Sequence, residues 1–333
     1  GRGRRPRFEP SRRLLTWPNG AQAFLFSAAE PESLRGPQHS HSWCDEIAKW
    51  DMASGRAMQA YDNLLMGLRL GADPRLLATT TPRAVPLVQR LMAQVATGDC
   101  VLTKGSTYDN AANLPPRFVN SMRRQFGKTA LGRQELDGEL LAEAEGALWS
   151  RALLERCRTD RPPGDYARVV IGVDPPASAR GDECGIVVVA MGEDGGAQVL
   201  ADATLARASP ERWAAAVAAA AHSWGADRVV AEANQGGDMV KSVLTAADCG
   251  LPVKLVHASR GKCARAEPVA ALYEAGRVRH AGLFPQLEDQ LCGLMAGGTY
   301  EGPGRSPDRA DALVWALTEL MLGKRANPRV LQV

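Results

Sequence analysis

Three apolar runs of strand length follow one another with only turns between them, and the pattern then changes period. Val169–Asp174 (VVIGVD), Gly185–Met191 (GIVVVAM) and Ala197–Leu205 read as consecutive strands, the last two joined as a hairpin through the Gly-containing turn Glu193–Gly196. A helix is expected over Pro210–Trp224, with Ser209 as N-cap and Pro210 at the first helical position. A strand at Arg228–Glu232, a helix at Gly237–Ala247 and a strand at Val253–His257 come next. Helices close the chain at about Lys262–Glu274, Pro285–Leu294 and Ser306–Leu322. Few folds accept this order. It asks for a mixed sheet whose first strands are antiparallel and whose later strands return through helices.

Strand-strand-strand, then helix-strand-helix-strand and a late helix, is the order of a ribonuclease-H-like sheet. A second α/β stretch lies upstream, with strands expected at Ala21–Ser27, Ser42–Glu46 and Leu76–Thr80 and helices at about Gly55–Arg69 and Pro86–Gln94. A charged helical connector, Met122–Ala147, leads to the turn cluster Arg161-Pro162-Pro163-Gly164-Asp165, where the domain boundary is expected. The expected organisation is therefore a first domain over 1–130, a linker over 131–165, a second domain over 166–324 and a tail over 325–333. A chain of 333 residues is long enough for two such cores.

Composition excludes several classes. The longest apolar run, Trp213–Ala221, is less than half a membrane span, so no membrane role is expected. The seven cysteines form no C-x-x-C pair, which argues for reduced thiols rather than a zinc site or a disulfide framework. The net charge of +3 is uneven: residues 1–13 hold six Arg against Glu9, a local +5 that leaves −2 for the remainder. Overall charge thus gives no case for nucleic-acid binding. The basic start reads equally as a nucleic-acid arm or as a solvated flank.

The chemistry concentrates in carboxylates. Asp174 ends an apolar strand stopped by Pro175-Pro176, and Glu232 ends the strand VVAE; the carboxyl edge of a sheet is where α/β sites are built. Each alone is more often a turn or cap residue. Asp308 and Asp311 open the last helix on a shared face. Complementing the helix dipole explains Asp308 well and Asp311 less well, because Asp311 lies beside Leu313, Val314 and Leu317. Asp174, Glu232 and Asp311 together would make a hard oxygen site suited to two Mg²⁺ or Mn²⁺ ions and phosphodiester hydrolysis. Asp182 and Glu183 are weaker candidates for an auxiliary carboxylate than for a solvated hairpin face. Lys262 and Arg265 are auxiliary candidates for phosphate contact, against the plainer reading of an exposed helix. The loop Asn234–Gly237 is as plausible a strand-to-helix turn as a phosphate-approaching backbone.

Upstream, Asp45 and Glu46 end a short strand, as do the Mg²⁺-holding acid and the water-polarising Glu of nucleotide hydrolases. A second strand ends in Thr79-Thr80-Thr81, a polar tip able to sense a γ-phosphate. No phosphate cradle accompanies them. Gly127-Lys128-Thr129 would close a P-loop, but its required first Gly falls on Met122; Gly261-Lys262-Cys263 fails likewise at Val256.

Together these segments resemble the large terminase subunit of tailed bacteriophages and gene transfer agents. The resemblance is carried, in order over nearly the whole chain, by SLRGPQHSHSWCDEIAKW (Ser33–Trp50), LLATTTPR (Leu76–Arg83), LGRQELDGELL (Leu131–Leu141), VIGVDPPAS (Val170–Ser178), GDECGIVV (Gly181–Val188), AEANQGGDMV (Ala231–Val240) and SPDRADALVWAL (Ser306–Leu317). It implies an α/β chain with an incomplete P-loop (ASCE-type) ATPase domain followed by a ribonuclease-H-like nuclease domain. Asp45 and Glu46 would be the Walker B pair, with Glu46 as catalytic base, and Thr79–Thr81 the coupling motif. Asp174, Glu232 and Asp311 would be the nuclease metal ligands of a two-metal endodeoxyribonuclease. The implied partners are double-stranded DNA, a portal protein, a small terminase subunit and further copies in a ring docked on a procapsid in the bacterial cytoplasm. The Walker A segment would precede residue 1, so the chain is expected to be truncated and ATP is expected to be turned over only by the full-length protein. The alternatives are a resolvase-like recombination nuclease on the same sheet and a non-catalytic DNA-binding module.

Overall fold

The computed structural model describes residues 5–50, 54–141, 144–159, 166–176, 183–234 and 237–323. The chain divides into two compact units, Gly1–Ala142 and Glu143–Val333.

The first unit begins with a three-stranded antiparallel meander, β1 (Arg7–Glu9), β2 (Leu14–Thr16) and β3 (Gln22–Phe24). From Arg7 onward the basic start is thus folded, with Arg7, Arg12 and Arg13 exposed on it. A parallel pair follows, β4 (His41–Cys44) and β5 (Arg75–Ala78), joined through helix α1 (Arg56–Gly67). Helix α2 (Pro86–Thr97) then packs Leu87 and Val88 against Cys44, Ile47, Ala60, Tyr61 and Leu64 to make a small core. Two further helices, α3 (Pro116–Phe126) and α4 (Ala130–Glu135), occupy the stretch read as a connector.

The second unit opens with helix α5 (Arg151–Arg156) and continues through β6 (Arg168–Asp174), β7 (Glu183–Met191), β8 (Ala197–Asp202), the short β9 (Leu205–Ala206), α6 (Pro210–Trp224) and β10 (Arg228–Glu232). Next come α7 (Gly237–Ala247), β11 (Val253–Val256), α8 (Lys262–Glu274), β12 (Val278–His280), α9 (Pro285–Cys292) and α10 (Asp308–Leu317), the last continuing as a π-helical turn over Thr318–Leu322. The sheet order is β11-β10-β6-β7-β8-β12, with β6, β7 and β8 antiparallel and β10 and β11 parallel to β6. This is the ribonuclease-H-like arrangement anticipated from the pattern, with an extra edge strand, β12, parallel to β8.

Strand alternation sorts the two faces. Val169, Ile171 and Val173 pack with Ile186, Val188 and the Trp213, Ala214 and Val217 face of α6. Val170, Val187, Val189 and Val230 pack on the opposite face with α8, α9 and α10. The expected boundary is corrected here. Trp149, Leu153, Leu154 and Cys157 belong to this second core, so residues 144–159 are part of the unit rather than of a 131–165 linker. The Arg161–Asp165 cluster and the tail from residue 324 lie outside the described residues.

Helix α10 lies on the sheet at glycine distance. A Cβ built on Gly172 would sit 1.8 Å from the Ala312 carbonyl oxygen, and one on Gly185 would sit 2.0 Å from the Asp308 carbonyl oxygen. The helix answers with small residues, Ala312 and Ala316, four apart on the contact face. Gly172→Ala is therefore expected to lower stability by about 3 kcal/mol, the upper end of overpacking costs. Urea unfolding checks this against Gly297→Ala, where a Cβ meets nothing within 4 Å.

Candidate functional site

The same alternation that buries Val170 and Gly172 points Asp174 toward α10 at the carboxyl end of β6. Its antiparallel partner is Gly185, which leaves room for the helix. Ala231 pairs with Val173, so Glu232, on the Val230 face of β10, ends its strand beside Asp174. Helix α10 then lays Asp311, 2% exposed, over the same strand ends. Two strand registers and one helix–sheet approach through glycines bring the three acids together.

Their charges are held by two cations from the start of α8. The Lys262 ammonium contacts Asp311 Oδ2, lies 4.0 Å from Asp174 Oδ2 and donates to Ser306 Oγ at 2.8 Å. Arg265 reaches Glu232 at 3.1 Å and Asp311 at 3.0 Å, and its guanidinium stacks 4.6 Å from the Trp315 ring centroid. Glu232 also accepts from Trp315 Nε1 at 2.7 Å and from the Asn234 amide at 2.8 Å, and Asn234 in turn accepts the Ala258 N–H at 2.8 Å. Burial, then the Asp311 charge, raises the Asp174 carboxyl well above the usual carboxylate range; Lys262 opposes the shift. Burial likewise raises Asp311 against the pull of Lys262 and Arg265. Among the described residues, no three His, Cys, Asp or Glu side chains form a ready-made metal cage. The acids are instead bridged by Lys262 and Arg265.

The start of α10 is fastened from its other side. Arg309, buried between the two helix acids, makes two 2.9 Å hydrogen bonds to Glu183 and one to Asp202. Gln290 accepts the Arg309 and Ala310 N–H groups at 2.8 and 3.2 Å. Asp308 accepts the Glu183 N–H at 3.2 Å and is itself raised by burial.

A second cluster lies in the first unit. Cys44 pairs with Ala78, so the tips of β4 and β5 emerge side by side. The Thr79 hydroxyl donates to Asp45 Oδ1 at 2.8 Å, and Thr80 Oγ1 accepts the Ala48 N–H at 3.1 Å. The hydroxyl of Thr80 donates to the Thr81 carbonyl at 2.8 Å. Glu46 takes a left-handed backbone, φ 50° and ψ 49°, a conformation that bulky residues rarely hold without a reason.

Two family models account for nearly all of the chain. Residues 4–156 match the N-terminal domain of the terminase large subunit, T4-like-virus type, and residues 171–320 match the terminase RNaseH-like domain. The chain belongs to the large terminase subunit family. It is the large subunit of a phage-type DNA-packaging terminase, built from an ATPase-type N-terminal domain and an RNaseH-like nuclease domain. No curated protein matches the chain in sequence. Among solved structures, the large terminase of bacteriophage HK97 is similar at 16% identity over 94% of this chain and 77% of that one, with a TM-score of 0.39. The large terminase nuclease of thermophilic phage G20c with bound magnesium is similar at 20% identity over 53% of this chain and 98% of that one, with a TM-score of 0.42. The RuvC of T. thermophilus in complex with a Holliday junction substrate is similar at 23% identity over 45% of this chain and 91% of that one, with a TM-score of 0.29.

Within this terminase subunit, Asp174, Glu232 and Asp311 come together, and so do Asp45 and Thr79. Lys262 and Arg265 are not the exposed helix cations of the plainer reading; both are tied to the acids. Asp308 is not a solvated cap, since it is buried and serves the β7 backbone. Glu183 is not a free hairpin acid, being bound by Arg309. Asp182 lies outside the described residues, as do Gln235 and Gly236. Sequence reading missed Arg309, Asp202, Gln290 and Trp315. Only Arg309, a cation set between two acids inside an apolar helix, carried a signal.

Proposed function

We propose that the second unit is a metal-dependent endodeoxyribonuclease that cuts concatemeric double-stranded DNA during packaging. The observation that carries this reading is the convergence of Asp174, Glu232 and Asp311 from β6, β10 and α10 onto one sheet edge. The donor set fits Mg²⁺ or Mn²⁺: it is all carboxylate, and burial with mutual repulsion raises Asp174, a cost that a divalent cation offsets. Two such ions, when bound, would activate a water and stabilise the leaving oxygen of the phosphodiester.

The residues themselves divide the work. Asp174, Glu232 and Asp311 hold the ions. Arg265, stacked on Trp315 and bridging Glu232 to Asp311, fixes the two carboxylates relative to one another. Lys262 balances charge while the acids stand alone; once ions take over that role, its side chain, 40% exposed on a flexible stem, would be released toward a DNA phosphate. Arg309 locks the start of α10 so that Asp311 keeps its place.

In the first unit, Asp45 would hold the Mg²⁺ of ATP, oriented by the Thr79 hydroxyl, and Glu46 would act as base in its left-handed turn. Thr79–Thr81 would pass the state of that site to DNA movement. ATP-driven translocation would need, beside these groups, a phosphate cradle with its Lys, a pattern that Gly127-Lys128-Thr129 misses at Met122. Portal protein, small terminase subunit and further copies of the chain in a ring on the procapsid are the partners this role requires, in the cytoplasm of the bacterial host. No helix among the described residues is long and apolar enough to cross a membrane.

The test is incubation of the purified chain with supercoiled plasmid. Nicked and linear products are expected with Mn²⁺ and none with EDTA. Intact plasmid in both would overturn the nuclease reading.

A further inference from the structure

We infer that α3 carries a second, sequence-independent contact for duplex DNA, gripping phosphates through one polar stripe of the helix. The inference rests on the reading that this chain handles double-stranded DNA, and it concerns the first unit alone.

Between Asp109 and Glu135 the chain holds no acid and five cations: Arg117, Arg123, Arg124, Lys128 and Arg133. Arg133 is spent on Glu139 at 2.7 Å. The exposed Arg117, Arg124 and Lys128 make no ion pair among the described residues, whereas most other arginines of this unit do. Arg117, Asn120, Ser121 and Arg124 are spaced i, i+3, i+4 and i+7, so they form one stripe about 10 Å long. With Arg123 they border one solvent-open face of the helix. Guanidinium, amide and hydroxyl groups are the side chains that bind phosphate and sugar oxygens in protein–DNA complexes.

The stripe is held on a rigid corner. The Thr129 hydroxyl donates to the Phe126 carbonyl at 2.8 Å and accepts the Gly132 N–H at 3.0 Å, capping α4 where α3 ends. Gly132 lies so close to the end of α3 that a Cβ would sit 1.9 Å from the Phe126 oxygen. Arg123 stacks 5.0 Å from the Tyr108 ring centroid, which steadies the helix from its other edge. Contacts from such side chains to phosphate oxygens fix position on the duplex and carry no sequence information. A motor that moves DNA of any sequence needs that kind of grip.

The test measures binding of the full chain to a fluorescent 30-base-pair duplex by anisotropy, in EDTA, from about 50 to 200 mM salt. For the double variant Arg117→Ala/Arg124→Ala, affinity is expected to fall about tenfold or more at 100 mM salt. The slope of log K against log salt is expected to shrink by about 2, one unit for each lost phosphate contact. Arg56→Ala, at another exposed cation of the unit, is the control and should leave both unchanged. Both α3 side chains are exposed, so an unchanged melting temperature verifies folding of the double variant. Wild-type binding matched by the double variant in affinity and slope overturns the inference and leaves the DNA-handling reading intact. No duplex binding by the wild type overturns that reading itself. A double variant that binds DNA normally but loses self-association assigns the stripe to a protein partner and likewise overturns the inference.

Discussion

Asp311→Asn is expected to remove Mn²⁺-dependent plasmid cleavage by about two orders of magnitude or more, as is Asp174→Asn, because metal charge stabilisation is worth several kcal/mol. Asp308→Asn should cost about tenfold or less. The two helix acids share a face in sequence but not a task in the fold. Asp308 spends its carboxylate on the Glu183 N–H, and its own carbonyl rests against Gly185. Asp311 is the more buried of the two, and it sits beside Asp174 and Glu232, held there by Lys262 and Arg265. Asparagine at 311 keeps the shape and one acceptor while removing the charge, so loss of cleavage with an unchanged melting temperature reports on the site rather than on folding. Mn²⁺ calorimetry adds a readout independent of turnover: weakened binding is expected for Asp311→Asn and Asp174→Asn, and near-normal binding for Asp308→Asn. A dead Asp308→Asn beside an active Asp311→Asn would reverse the assignment.

The placement of the three acids is legible because it rests on local periodicity. Alternation in VVIGVD and VVAE places each terminal acid on a defined face, and the small residues of α10 mark the side that approaches the sheet. What was illegible depends on distant partners. Arg309 meets Glu183 from 126 positions away, and nothing local to either names the other. Lys262 and Arg265 read as surface cations because a helix start rich in charge is usually solvated; only the packing of α8 beside α10 turns them inward. Strand β12 has three residues, one of them a His, and is buried through partners distant in sequence: β8 beside it, Tyr273 and Glu288 at its His280. The stretch before the nuclease sheet read as linker because the Arg161–Asp165 cluster is a strong turn signal. Its apolar positions 149, 153, 154 and 157 nevertheless carry a helical period.

That stretch decides where the nuclease unit can be cut. A fragment spanning 144–323 is expected to fold, and one spanning 166–323 is expected to be unfolded or aggregated, although the RNaseH-like family match begins only at residue 171. The match to the N-terminal family model runs on to residue 156 and so assigns α5 to the other half of the protein. The packing assigns it to the nuclease. Trp149 is fully buried against Tyr273 edge-on at 5.7 Å, with Leu153, Leu154 and Cys157 beside it. Removing one Trp and two Leu side chains exposes the apolar core surface they cover, at about 1.5–3 kcal/mol each. The backbone adds an edge: Thr159 donates to the His280 carbonyl at 3.0 Å, and His280 donates back to the Cys157 carbonyl at 2.8 Å. Most costly is Glu288, 2% exposed, which Arg158 clasps with two 2.9 Å bonds. Burial alone would raise this carboxyl, yet hydrogen bonds from His280 and Arg158 bring it down to about 2. Without residue 158 the acid keeps His280 and the Phe284 N–H but loses its cation, and breaking such a pair costs about 3–5 kcal/mol. Together these losses are comparable with the whole stability of a domain, about 5–15 kcal/mol. Thermal melts and size-exclusion profiles of the two fragments check this directly. A cooperative melt of 166–323 within a few degrees of 144–323 would show that the segment is a passenger on the nuclease fold and that the boundary belongs after residue 160.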